Sequence, residues 1–203
     1  MREQLGQRFA RLATDAVVRR PALWPVFRPL VRRQFNRLAP VWAERRSQDA
    51  SASFLAALDR VDMPVRRALD VGTGTGLGAL EIAKRHPGAE IVGVDVSPAM
   101  LEKARRLAPG IEFVEGDASA LPFDDGEFDL VAHVNMIPFL DETARVLRPG
   151  GWTVYAFSAG PQTPIYVAPD RMRRELERRG FTDFAEITAG PGNAVLARRG
   201  EGV

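Results

Sequence analysis

The stretch Leu69-Asp70-Val71-Gly72-Thr73-Gly74-Thr75-Gly76 decides the fold, because an apolar run stops there at three glycines in alternate positions. The run predicts a buried strand, and the amphipathic residues after it predict a helix. Glycines at such a turn let a ligand approach the backbone where side chains would block it. The stretch therefore predicts a strand-to-helix turn that binds a nucleotide-like ligand.

Short apolar runs and amphipathic segments alternate from Val65 onward. Alternating strands and helices predict a parallel sheet covered by helices on both faces, which is an α/β fold of the three-layer αβα sandwich type. Towards the carboxyl end, a helix over 169–179 is followed by two strands, near 184–188 and 194–197, that a turn-rich segment joins. These last strands predict an antiparallel hairpin.

The chain before this core predicts an N-terminal helical cap. Residues 1–64 form the cap and residues 65–203 the core, both within one domain. Apolar residues recur at helical spacing over 5–17, over 31–42 and around 53–61. Three prolines are expected to end the first helix before the second begins, namely Pro21, Pro25 and Pro29.

Charge is unevenly distributed along the chain. Residues 1–46 hold eleven Arg against three acidic residues, a net charge of about +8, whereas the remaining residues carry about −6. Over 19–38 the Arg residues are mixed with apolar ones, a composition compatible with peripheral contact with an anionic membrane or with binding of a nucleic acid, of which we favour the membrane. A solvated helical face is the stronger interpretation, because Arg is used almost to the exclusion of Lys throughout the chain.

Composition also excludes several kinds of site. The chain contains no Cys, so disulfides, thiolate metal ligands and cysteine nucleophiles are excluded. No cluster of His, Asp and Glu has the spacing of metal ligands, and we expect no metal. Because no run of about eighteen apolar residues and no signal-peptide core is present, we expect a soluble, cytoplasmic protein. The sequence leaves the oligomeric state open.

The acidic residue in the glycine-rich turn bears on the ligand's charge. Glycine spacing alone also fits a dinucleotide fingerprint, in Gly74-Thr75-Gly76-Leu77-Gly78-Ala79. A dinucleotide would place its anionic pyrophosphate beside Asp70, which would repel it. S-adenosylmethionine has no phosphate and carries a sulfonium and an ammonium group, so Asp70 would attract its methionine end, directly or through water. The acid favours the methyl donor.

Two further carboxylates follow predicted strands. Asp95 closes the second strand, where it can accept hydrogen bonds from both ribose hydroxyls, and Ser97 with Pro98 already supplies the cap of the next helix. Asp117 ends the third strand, where it can accept from an adenine amino group, a simple turn aspartate being the alternative. Met100 can cover the adenine, although a methionine at this helical spacing is also typical of a core.

Four segments in this order, LDVGTGTG, GVDVSPAM, GDASALPFDDGEFDLV and RVLRPGG, resemble the class I (Rossmann-like) S-adenosylmethionine-dependent methyltransferase family, in particular its small-molecule branch. The match covers residues 65 to about 157. The closing hairpin resembles the end of the family's seven-stranded sheet, in which the last strand inserts antiparallel. The resemblance implies an enzyme of the EC 2.1.1 class with S-adenosylmethionine as its cofactor.

The resemblance also implies a set of cofactor residues, in which the glycine-rich loop holds the methionine part and the strand ends hold ribose and adenine. These residues are Asp70, Gly72, Thr73, Gly74, Gly76, Asp95, Val96, Met100, Asp117, Ala118 and His133. The segment 35–42 resembles the pre-core segment that closes over the donor in relatives, although Trp42-Ala43 stands where relatives often have Tyr followed by Asp.

Methyl transfer from a sulfonium is a direct displacement that needs alignment more than it needs a base. His133, at the carboxyl end of the fourth predicted strand, is the candidate catalytic base; alternatively it contacts the donor or holds the substrate. Asn135 can orient the acceptor, and Trp42 and Tyr166 are expected to contact it. The cap, the end of the fourth strand and the largely apolar loop 158–167 predict a pocket for a small, fairly hydrophobic acceptor.

Two other functions remain open on the sequence. A nicotinamide-dependent oxidoreductase is supported by the overlapping glycine fingerprint and opposed by Asp70 and by the lack of an obvious catalytic Tyr and Lys pair. A non-catalytic donor-binding module would keep the fold and use its basic cap to dock on a membrane or a nucleic acid.

Overall fold

The computed structural model describes residues 2–39 and 52–201 of the 203-residue chain. The helices are α1 (Arg2–Arg19), α2 (Trp24–Leu38), α3 (Ala52–Leu58), α4 (Leu77–Arg85), α5 (Pro98–Leu107), α6 (Leu140–Val146) and α7 (Pro169–Glu177). The strands are β1 (Arg67–Val71), β2 (Glu90–Asp95), β3 (Glu112–Glu115), β4 (Phe128–Val134), β5 (Leu147–Phe157), β6 (Phe181–Ala189) and β7 (Gly192–Arg199). A short 3-10 turn, Pro21–Leu23, joins α1 to α2.

Seven strands form one sheet in the order β3-β2-β1-β4-β5-β7-β6. The strands from β1 to β5 pair in parallel, and β7 pairs antiparallel with both β5 and β6. The strand order reverses between β1 and β4, because β2 and β3 lie on one side of β1 whereas β4 and β5 lie on the other. In open parallel sheets, ligands bind at the carboxyl ends of the strands beside such a reversal. The predicted α/β sandwich with an antiparallel last strand is confirmed.

Apolar side chains cover both faces of the sheet, because strands buried on both sides are apolar at nearly every position. One face packs with α1, α2, α6 and α7, through residues that include Val17, Trp24 and Leu140. The other face packs with α3, α4 and α5, through residues that include Phe54 and Ile82. The helix α3, which we group with the cap on sequence, therefore belongs to this second layer.

A buried carboxylate fastens the amino-terminal ends of two neighbouring strands. Asp129 on β4 accepts hydrogen bonds from the backbone N–H groups of Arg66 (2.6 Å) and Arg67 (2.9 Å) at the start of β1, and it pairs with Arg148. Burial alone would raise the pKa of Asp129, but these hydrogen bonds outweigh it and lower the pKa. The carboxylate thus fixes the register of the central strands from the end opposite the site.

The prolines of the cap do not all lie between two helices. Pro21 begins the 3-10 turn, but Pro25 lies in the first turn of α2 and Pro29 lies inside that helix. A first-turn proline loses no hydrogen bond, because its N–H would have no partner in the helix anyway. The expectation that all three separate the helices is therefore wrong for Pro25 and Pro29. Among the described residues, no helix is long and apolar enough to cross a membrane.

Candidate cofactor site and acceptor groove

The glycine-rich loop leaves β1 and turns back on the end of β2. The backbone N–H groups of Gly72 and Thr73 both donate to the carbonyl of Val94, at 2.8 and 3.0 Å. Gly72 and Gly74 have positive φ angles of 68° and 56°, a conformation that L side chains rarely adopt. The loop therefore needs these glycines for its path, as the sequence predicts.

Asp70 lies beneath the loop. Its carboxylate is buried and accepts a hydrogen bond from the Thr73 hydroxyl (2.7 Å), and a Cβ built on Gly78 would come within 2.7 Å of one of its oxygens. Asp70 and Thr73 thus hold the loop against the first turn of α4. Their side chains are directed into the protein, so the predicted attraction of Asp70 for the methionine end is not a direct contact in this arrangement.

Asp95 ends β2 and holds the other side of the loop. One of its oxygens accepts from the backbone N–H of Gly74 (2.9 Å) and the other from that of Ser97 (2.8 Å). Burial raises its pKa, although the backbone hydrogen bonds oppose this. Each oxygen keeps lone-pair capacity for a further donor, as paired ribose hydroxyls would require. Val96, which also donates a backbone hydrogen bond to Asp95, is half-buried.

The cap of α5 is as predicted. The Ser97 hydroxyl accepts from the backbone N–H of Met100 (3.2 Å), and Pro98 occupies the first turn. Met100 itself is fully buried, and a Cβ on Gly76 would come within 2.9 Å of Phe113. Gly76 therefore serves the packing of β3 against the loop. The structure places both Met100 and Gly76 in the protein interior.

Met136, which is not among the predicted site residues, lies over the loop. A Cβ built on Gly72 would come within 2.6 Å of Met136 Sδ. Met136 follows β4 and is only partly buried. The Met136 side chain therefore occupies the space into which a side chain at position 72 would extend.

The inner face of α2 lies along the carboxyl end of β3. Trp24 Nε1 donates to Asp117 Oδ1 (2.7 Å), and Arg28 donates to Asp117 Oδ2 (2.9 Å). Ser119 donates to Oδ1 as well, from its backbone N–H (2.9 Å) and its hydroxyl (2.8 Å). Burial alone would raise the pKa of Asp117, but these hydrogen bonds together lower it. An adenine amino group would have to share Oδ2 with Arg28.

The same helix face continues towards β2. Arg32 pairs with Glu115 (3.2 Å) at the end of β3, and Asn36 Oδ1 accepts from the Ser97 hydroxyl (2.6 Å). Together with the two residues that bind Asp117, these contacts recur every four residues along α2. Ala118 is buried in the same hydrophobic cluster as the Trp24 indole. The helix α2 thus borders the edge where ribose and adenine are expected. In the sequence, the polar residues that make these contacts recur every four positions, and this spacing is the signal that could have indicated them.

His133 does not face this edge. Its ring is 2% exposed, stacks on Tyr155 with centroids 4.1 Å apart, and has Nε2 3.1 Å from the Thr143 hydroxyl of α6. Burial lowers its pKa to about 3. A ring held neutral inside the core takes up no proton near neutral pH, so the prediction of a catalytic base at His133 is corrected: His133 is a core residue.

Three other predicted residues have structural positions of their own. Asn135, with a φ of 53°, donates from Nδ2 to the Ser158 hydroxyl (2.8 Å) and accepts from the Ser158 N–H (2.9 Å). Both ends of its amide thus tie β4 to β5. Tyr166 packs edge-on against Phe157, with centroids 5.3 Å apart. Trp42 lies outside the described residues.

A groove of about 300 Å³ lies between the 3-10 turn and the loop that follows β4. Its apolar lining includes Val18, Pro21, Pro25, Pro138, Phe139 and Leu140. Phe139 packs edge-on against Trp24, with centroids 5.2 Å apart, so one wall is continuous with the helix that borders the cofactor edge. The loop 158–167, which we expect in the acceptor pocket, does not line this groove.

The sequence matches a known family over the region just described. Residues 68–151 match the family model described as a methyltransferase domain. This region is similar to methyltransferase domains. Over most of the chain, the fold is similar to solved structures: a chain of the complex between the Haloferax volcanii Trm112 methyltransferase activator and a putative methyltransferase superposes with a TM-score of 0.69 at 19% identity. That superposition covers 82% of this chain and 97% of the other, and it supports the fold alone.

Curated relatives of the methyltransferase domain share more of its sequence. The demethylmenaquinone methyltransferase of Thermus thermophilus is 47% identical over 97 residues, which is 42% of this chain and 44% of that protein. A probable phthiotriol/phenolphthiotriol dimycocerosates methyltransferase 2 of Mycobacterium ulcerans is 39% identical over 106 residues, 48% of this chain and 41% of that protein. The chain thus spans less than half of the length of either relative.

The resemblance to methyltransferases implies S-adenosylmethionine as the cofactor, and residues of the matched region fit it. Gly74 carries no side chain and has a positive φ angle, so a ligand can approach the loop backbone there. The half-buried carboxylate of Asp95 lies at the end of β2 with capacity for hydroxyl donors. Among the described residues, no group of three His, Asp or Glu side chains is arranged to hold a metal ion.

Proposed function

We propose that the protein transfers a methyl group from S-adenosylmethionine to a small, fairly hydrophobic acceptor. The observation that carries the proposal is the half-buried carboxylate of Asp95, held against the glycine-rich loop through the Gly74 N–H (2.9 Å) in a region that matches a methyltransferase domain. When bound, S-adenosylmethionine supplies a methyl group on a positively charged sulfur, which passes to the acceptor by direct displacement and leaves neutral S-adenosylhomocysteine.

The protein's own residues bind, orient and exclude water. Asp95 would accept from the ribose hydroxyls, and the backbone of Gly72 and Gly74 would contact the methionine part. The helix α2 covers the adjoining edge through Trp24 and Arg28, which keeps water from the side where the nucleoside is expected. Because His133 is neutral and enclosed, we assign no residue as a base, and the acceptor's proton would leave to solvent.

The groove beside α2 is the proposed acceptor site. Most of its lining residues are apolar, which favours an apolar molecule, and Ser119, Asp141, Glu142 and Arg179 supply polar groups beside them. The names of the two curated relatives mention a menaquinone precursor and phthiotriol dimycocerosates, both apolar. We therefore propose an acceptor with an apolar body and one hydroxyl or activated carbon as the methylated position.

The donor half of the proposal is tested by calorimetric titration with S-adenosylhomocysteine, and separately with NAD and NADP. We expect saturable binding of S-adenosylhomocysteine alone, weakened at least about tenfold in Asp95→Ala. Glu102→Ala is the matched control, since that carboxylate is exposed on α5 and pairs with Arg106. Binding of a nicotinamide nucleotide instead would overturn the proposal.

The acceptor half is tested by transfer of radiolabelled methyl groups to a panel of hydroxylated compounds that differ in apolar chain length. Turnover should rise with apolar area, and Val18→Asp in the groove wall should remove that preference. S-adenosylhomocysteine binding by this variant is the control, because the groove lies outside the glycine-rich loop. A preference for charged acceptors would contradict the apolar site.

A further inference from the structure

The outer face of α2 carries an apolar stripe. Leu23, Val26 and Leu30 have 38%, 69% and 55% of their surface exposed. They recur three and four residues apart, on the side of the helix opposite the row that begins with Trp24 and Arg28. Of the five large apolar side chains that are exposed in the described part of the chain, three thus lie in one line. A clustered apolar surface of this kind indicates an interaction site.

Positive charge surrounds this stripe. Arg33 and Arg37 continue the same line over the next turns of α2, and Arg19 and Arg20 precede it at the end of α1. These four guanidinium groups are exposed and form no ion pair with any residue that the structure describes. Residues 16–43 contain neither Asp nor Glu, so no acid on this segment offsets them.

The two features together select one kind of partner. We propose that the outer face of α2 docks on an anionic lipid surface. The apolar stripe enters the boundary between headgroups and acyl chains, and the four Arg side chains pair with lipid phosphates. A nucleic acid would satisfy the guanidinium groups but leave Val26 and Leu30 uncovered, and an apolar protein surface would leave the Arg side chains without partners.

The inner face of α2 makes this surface rigid. Trp24 and Arg28 fasten the helix to Asp117, and Asn36 fastens its other end to Ser97. Docking therefore requires no rearrangement of the helix, and little entropy is lost in presenting the stripe.

Docking would also determine how the acceptor reaches the groove, an inference that rests on the proposed function. The groove and the apolar stripe are adjacent along the chain. The groove is lined by Pro21, Ala22 and Pro25, and these alternate with Leu23 and Val26 of the stripe. A protein lying on its α2 face would hold the mouth of the groove at the lipid surface. An apolar acceptor dissolved in the bilayer would then enter the groove without crossing water.

The test is co-sedimentation of the purified protein with vesicles of phosphatidylcholine alone and of phosphatidylcholine mixed with phosphatidylglycerol. We expect binding to the mixed vesicles only, weakened by salt. Two double variants should each lower the partition coefficient about tenfold or more. One is Val26→Asp with Leu30→Asp, and the other is Arg33→Glu with Arg37→Glu.

The matched control is Leu107→Asp with Arg106→Glu, because Leu107 is 46% exposed on α5, away from the stripe. This pair should keep the partition of the wild type. Equal partition of all variants, no binding to anionic vesicles, or binding to a nucleic acid duplex in preference to vesicles would each overturn the proposal. Titration with S-adenosylhomocysteine on every variant separates this outcome from failure of the donor site and verifies that each variant is folded.

Discussion

The buried imidazole of His133 should make the free energy of unfolding depend on pH, and this dependence distinguishes a core residue from a catalytic base. Its ring stacks on Tyr155, and burial lowers its pKa to about 3. In the unfolded chain the pKa of a histidine returns to about 6.5. Between these values the unfolded state binds one more proton than the folded state, so stability is complete above about pH 6.5 and falls as the pH decreases towards 3.

The magnitude follows from the two pKa values. Each pH unit below the unfolded pKa costs about 1.4 kcal/mol while the folded ring stays neutral. At about pH 5, one and a half units below 6.5, His133 should therefore lower the free energy of unfolding by about 2 kcal/mol relative to about pH 7.5. Because the ring is 2% exposed, solvent screens little of this effect.

The variant His133→Phe keeps the stack on Tyr155 and removes the proton site. The assay is urea unfolding followed by circular dichroism at both pH values for wild type and variant. The pH-dependent loss should be about 2 kcal/mol smaller in the variant. His86→Asn is the control, since that ring is only partly buried and should account for less of the loss. An unchanged pH dependence, or normal donor binding with abolished methyl transfer in His133→Phe, would refute the assignment to the core.

Three further predictions concern the loop and the strand ends. Asp95→Asn should weaken S-adenosylhomocysteine binding about tenfold in calorimetry and lower the free energy of unfolding by about 1 to 2 kcal/mol, because the amide leaves one of the two backbone N–H groups, of Gly74 or Ser97, without an acceptor. Gly72→Ala should lose donor binding and about 1 to 3 kcal/mol of stability, since the new Cβ meets Met136 Sδ at 2.6 Å with φ at 68°. Gly88→Ala is its control: the φ is 91° but nothing lies within 4 Å, so only the stability should fall. Asp129→Asn should cost about 2 kcal/mol in urea unfolding, because the amide has one oxygen and cannot accept the two backbone N–H groups at the start of β1 and also pair with Arg148; an unchanged midpoint would contradict this role.

Local sequence was sufficient wherever a feature depends on neighbouring residues. The alternation of apolar runs predicts the parallel strands, Ser97 with Pro98 predicts the start of α5, and the loop glycines at 72 and 74 occur with the positive φ angles that such a turn needs. Asp95 falls at the end of β2 as expected, because a strand's last residue can be read from the glycine and proline signals around it.

Tertiary structure decided the features that join distant residues. Trp24 and Asp117 are 93 positions apart, and nothing in either segment alone indicates that an indole donates to this carboxylate. His133 lies near the predicted end of β4, but whether its ring faces the ligand or α6 depends on which helix packs on that side of the strand. A strand's period of two fixes which residues share a face, not what covers it. The sequence by itself therefore determined the fold class and the donor loop, whereas packing of α2 and α6 decided which polar side chains border the site and which one is enclosed in the core.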